Sequence, residues 1–172
     1  MSFAYPFCKS NPTVRERVMR RHVGARGYHP LYEGSYPADK ALADGGWRIY
    51  LSHGISPDAL KAHLDDIAPL RPRLWIAPYG AVAAYCAARD RARLTVTANE
   101  KGRCTFTLAL PDDAPAALRG VRLTVVVPAH GVTAETKVAC EPAGATAEPG
   151  SDRIAVTALP SGGAVTATWA AQ

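Results

Sequence analysis

The segment Trp47-Arg48-Ile49-Tyr50-Leu51 is a β-prone apolar run that delivers Ser52-His53-Gly54 at its end. An imidazole with its ordinary pKa of about 6.5 carries and releases a proton near neutrality, so a histidine placed there suits general acid or base work. Ser52 is no nucleophilic partner by adjacency, because successive strand side chains point to opposite faces. Two acidic pairs, Asp65-Asp66 and Asp112-Asp113, are the other clusters of note. His63 and Asp66 are three residues apart on a predicted helix, yet a metal site needs three or four ligands, so a charged outer face is the expectation there. The cysteines Cys8, Cys86, Cys104 and Cys140 form no C-x-x-C pair. The chain carries no Gly-x-Ser-x-Gly elbow, no phosphate-binding glycine loop and no dinucleotide fingerprint.

The elements that must position these residues change character along the chain. Asn11-Pro12 reads as an N-cap followed by a proline at the first helical position, with Val14, Val18 and Met19 on one face, which predicts a helix over 12–23 stopped by Gly24. Ser56-Pro57 starts a second helix with Leu60, Leu64 and Ile67 as its apolar stripe, and Pro69 and Pro72 end it. Leu74-Trp75-Ile76-Ala77 is expected to be a strand, and a helix with Val82, Tyr85, Cys86 and Arg89 on one side follows, ending near Asp90. Beyond residue 91 the period shortens to two. Runs at 94–97, 104–108, 123–127, 154–156 and 165–169 mostly alternate large apolar residues with threonine or alanine, and 136–140 is a weaker candidate. The stretch from Glu141 to Gly150, rich in Ala, Pro and Gly, reads as a loop.

In three segments, taken in order, the chain resembles the C-terminal part of the polysaccharide deacetylase (NodB-homology) family. Phe3-Ala4-Tyr5-Pro6-Phe7 is similar to the family's Arg-x-Pro-aromatic turn, with Ala4 in place of the arginine. Ile49-Tyr50-Leu51-Ser52-His53 resembles its closing motif, an apolar strand ending in Leu-x-His. Residues 57–89 look like the last helix, strand and helix of a deacetylase domain. The resemblance implies an α/β architecture, the C-terminal part of a (β/α) barrel-like domain over 1–90, followed by a small antiparallel β-sandwich over 91–172. It also implies roles. His53 would be the general acid that protonates the leaving amine, Leu51 would line the acetyl pocket, and the backbone N–H at Phe7 would help hold the oxyanion. Tyr5 and Trp47 would border the substrate. Family members bind zinc or another divalent metal through a Thr-Phe-Asp-Asp segment and a His-x-x-x-His-type segment upstream of the turn, and neither occurs here. The chain by itself is therefore expected to hold no cofactor and to be inactive, a truncated piece of a metal-dependent N-deacetylase of acetylated polysaccharides or oligosaccharides.

Composition bounds the partners. A 48% hydrophobic content argues for burial, and the net charge of +5 is spread along the chain apart from Arg15, Arg17, Arg20 and Arg21. No aromatics interleave with those arginines, so a solvated helix face is expected rather than a nucleic-acid site. No apolar run approaches the ~18 residues that span a bilayer, and an export signal of a longer parent would lie upstream. Half of a barrel leaves strand edges uncovered, which invites self-association. The rival reading is a non-catalytic carbohydrate-binding or structural protein. Its β module offers only Phe106 and Trp169 as aromatics, and both fall on inward faces of their strands.

Overall fold

The computed structural model describes residues 2–4, 10–20, 22, 24–26, 42–43, 54 and 56–170. The chain is mixed α and β, with two antiparallel sheets, and divides into compact units over 2–82 and 83–172.

In the N-terminal unit, β1 (Ser2–Ala4) pairs in parallel with β2 (Gly24–Arg26), and α1 (Pro12–Met19) lies between them in sequence. The N-cap reading of Asn11 holds: its Oδ1 accepts the Val14 N–H at 2.9 Å, with Pro12 at the first position, where no donor is needed. The helix ends sooner than its periodicity predicts. Gly24 opens a strand instead of merely stopping a helix. Helix α2 (Pro57–Ile67) starts as expected, with Ser56 Oγ accepting the Ala59 N–H at 3.2 Å and Asp58 in the first turn, where the helix dipole favours negative charge. Its apolar stripe is on the helix but leaves Leu60 and Leu64 exposed. A 3-10 segment, Ala68–Arg73, follows where Pro69 and Pro72 forbid a continued α-helix.

The expected strand at 74–77 is not formed: residues 74–78 have no regular structure, and Trp75 and Ile76 are 59% and 54% exposed. Apolar and β-branched residues favour a pleated surface, but a strand exists only where a neighbour supplies its ladder, and no described strand pairs with this stretch. Helix α3 (Tyr79–Arg91) comes next, and the division between the two units falls inside it.

The C-terminal unit holds β3 (Arg93–Glu100), β4 (Arg103–Ala109), a short helix α4 (Ala116–Arg119), β5 (Leu123–Pro128), β6 (Val138–Glu141), β7 (Thr146–Gly150), β8 (Arg153–Ala158) and β9 (Ser161–Trp169). One sheet runs β3-β4-β9-β6 and the other β5-β8-β7, with every pairing antiparallel. Period-two sequence becomes period-two burial. Cys104, Phe106 and Leu108 on β4, Val165 and Ala167 on β9, and Ile154 and Val156 on β8 are buried, while the threonines between them face outward. Phe106, Ile154 and Val156 are fully buried. Cross-strand hydroxyl pairs decorate the outer faces, Thr105 with Thr166 at 3.1 Å and Thr124 with Thr157 at 2.8 Å.

Two elements of this unit depart from the periodicity. Thr146-Ala147-Glu148-Pro149-Gly150, expected to be loop, is β7, hydrogen-bonded to β8. It is an edge strand, where a proline can be accommodated because one side of the ladder is open. Helix α4 is a single turn after Pro115 that buries Leu118, too short to show a helical period. The hairpin turns are legible chemistry. Gly102 at φ 81° turns β3 into β4, and Asp152 at φ 54° turns β7 into β8. The Asp152 carboxylate also accepts the Gly131 N–H at 2.8 Å, tying this hairpin to the loop after β5.

Candidate functional site

Every residue singled out for chemistry by the resemblance, His53, Leu51, Phe7, Tyr5 and Trp47, lies outside the described residues. What the structure supplies is their flanks. Tyr5-Pro6-Phe7 directly follows β1 at its C-terminal end, and β1 is parallel to β2 across a helical connection. In α/β architectures that is the end where ligand-binding and catalytic groups collect. On the other side, Gly54 follows His53 with a φ of 77°, a left-handed conformation that a residue with a side chain adopts only with strain. Ser56 then caps α2. Helix α2 therefore begins four residues after His53 in sequence.

Among the described residues the titratable groups do not gather into a metal-holding cluster. Asp65 pairs with Lys61 at 2.6 Å along the exposed face of α2, so the charged outer face expected for Asp65-Asp66 is what forms. Asp112 and Asp113 sit in the turn after Pro111, and Arg119 donates to the Pro111 and Asp112 carbonyls at 3.3 and 2.8 Å. Among the described residues no group of three or more His, Cys, Asp and Glu gathers to hold a metal ion. The described residues thus supply no donor set for the zinc that the resemblance implies. Glu135 is held below the ordinary carboxylate range by the Thr133 hydroxyl, which donates to it at 2.7 Å.

The three described cysteines are free thiols. Cys104 on β4 and Cys140 on β6 both register with Ala167 of β9, one on each side of it. Two strand spacings, roughly 9.5 Å, separate them, beyond the reach of a disulfide. Burial pushes both thiols up from their ordinary range, so they are poor nucleophiles and serve as small apolar residues.

Phe106 is fully buried and Trp169 half-buried, so neither forms an exposed platform for a sugar ring. The exposed indole of the described structure is Trp75, in a stretch that periodicity read as a packed strand. Comparison with known proteins adds no relative: no family model, no curated protein and no solved structure matches the chain.

Proposed function

We propose that this chain is the C-terminal part of a carbohydrate N-deacetylase, a hydrolase of C–N bonds other than peptide bonds, and that it carries the general acid but not the metal ligands. The observation that supports the reading is the β1-α1-β2 unit. Tyr5-Pro6-Phe7 follow in sequence from the C-terminal end of β1, which pairs in parallel with β2, and in a barrel-like domain such a turn would border the active site. His53, preceded by Leu51 and followed by the Gly54 turn, would stand at a second strand end of the same domain. Its imidazolium would protonate the amine nitrogen as the tetrahedral intermediate collapses, and Leu51 would contact the acetyl methyl. The Phe7 N–H would donate to the oxyanion, with Tyr5 and Trp47 bordering an acetylated oligosaccharide or polysaccharide. Zinc or a related divalent ion would be held by residues upstream of this sequence. Residues 91–172 would be an antiparallel β-sandwich, a reading supported by two sheets in one unit that each bury one face.

The test is release of acetate from an N-acetylglucosamine oligomer. The chain alone should release none with or without zinc, whereas a chain extended upstream through an aspartate and a paired-histidine segment should release it in a metal-dependent way. Metal-dependent activity of the unextended chain, or an extended reading frame without those ligands, would sink the proposal.

A further inference from the structure

Strand β3 ends the four-stranded sheet and is exposed along nearly its whole length. Its register with β4 sets Leu94 opposite Leu108 and Val96 opposite Phe106, so both stand on the face that β4 buries. They are nevertheless 47% and 53% exposed. An apolar edge with one open side is a template for pairing with another strand.

The charges at the ends of β3 specify which strand. Arg93 registers with Ala109 and Glu100 with Arg103, and all four stand on the outer face, opposite to Cys104, Phe106 and Leu108. Residues seven apart in an uninterrupted strand point to opposite faces. Here the register shifts between Val96 and Ala98, which leaves Thr97 as an extra residue and returns Glu100 to the face of Arg93. The Thr97 hydroxyl holds the irregularity by donating to the Thr105 carbonyl at 3.2 Å. A bulge commonly twists an edge away from partners. In this strand it also makes the edge self-complementary, because directly opposed residues of an antiparallel pair must share a face.

We infer that β3 is a homodimer edge, pairing antiparallel with β3 of a second copy about a twofold axis between Val96 and Thr97. Arg93 of each copy then lies opposite Glu100 of the other, and Leu94 lies opposite Asn99, both inward-facing by register. Val96 of each copy then lies opposite Thr97 of the other, next to the axis. An isologous contact of this kind repeats each favourable pair twice and closes without further growth. The two four-stranded sheets become one of eight strands.

Charge exchange tests this in the full-length chain by sedimentation equilibrium. The unaltered chain should dimerise at or below about 100 µM, the weak regime of a small interface. Arg93→Glu and Glu100→Arg should each weaken the dimer by about tenfold, since each turns two attractive cross-strand pairs into repulsive ones. The double variant Arg93→Glu/Glu100→Arg should recover the dimer. Because Glu100→Arg also faces Arg103 within its own chain, thermal melts of all variants verify that the fold is kept, and the Arg93→Glu result stands without that complication. A monomeric parent chain overturns the inference, as does equal dimerisation of all variants or failure of the double exchange to recover association.

Discussion

At the scale of single residues, the sharpest claim concerns His53. Under the proposed deacetylase function, His53→Ala in an upstream-extended chain should lower turnover by about 10²–10⁴-fold with metal content unchanged, the usual contribution of a positioned proton donor. Unchanged turnover in steady-state assays would remove His53 from the mechanism. Cys104 gives a prediction of a different kind. Its thiol pKa is raised by burial in the folded state, so the folded chain binds the thiol proton more tightly than the unfolded chain does. The stability that this contributes is complete below the ordinary thiol range, near 8.5, and is lost as pH rises through the higher folded value. Urea unfolding between neutral and mildly alkaline pH should show stability falling, and Cys104→Ala should flatten that slope; an unchanged slope would mean that other groups cause it.

Elements differ in what holds them. Helix α2 has no buried residue and depends on its cap, its dipole and the Lys61–Asp65 pair. Ser56→Ala should therefore destabilise it by about 1 kcal/mol, seen as faster amide exchange in α2 with the exchange of β4 and β8 unaffected. Strand β4 is the reverse case. Its alternate residues are buried on one face, and Phe106 has no exposed surface. Phe106→Ala should cost about 3–5 kcal/mol, lowering the urea midpoint of the 83–172 unit; a loss under about 1 kcal/mol would show that the site is not the packed centre its burial indicates.

For the whole molecule, the two units differ in kind. The C-terminal one has two antiparallel sheets with a continuous set of buried apolar residues, and the N-terminal one joins a parallel strand pair to helices with exposed apolar residues. Amide exchange should accordingly be slowest in β4, β8 and β9, whose neighbours on both sides donate and accept. Equal protection of α2 and β8 would contradict this distribution of stability.

Residue type and spacing were enough to locate the caps at Asn11 and Ser56, the strands containing Phe106, Val125, Ile154 and Val165, and the Asp112-Asp113 turn. These are local matters: a side-chain oxygen three residues from an amide, or an alternation that one buried face imposes. The same local chemistry misread three segments. Leu74-Trp75-Ile76-Ala77 has strand composition and no ladder to join, while Thr146-Ala147-Glu148-Pro149-Gly150 has loop composition and a ladder waiting on β8. The helix after Asn11 ends at Met19, and Gly24 pairs with Ser2 as the start of a strand. For the candidate site, the sequence supplied the motif order around Phe7 and His53, and the structure added the parallel strand before one and the Gly54 turn after the other. Strand pairing joins residues far apart in the chain, so the partner of an edge, and the face on which Arg93 and Glu100 come to stand, were decided only by the tertiary structure.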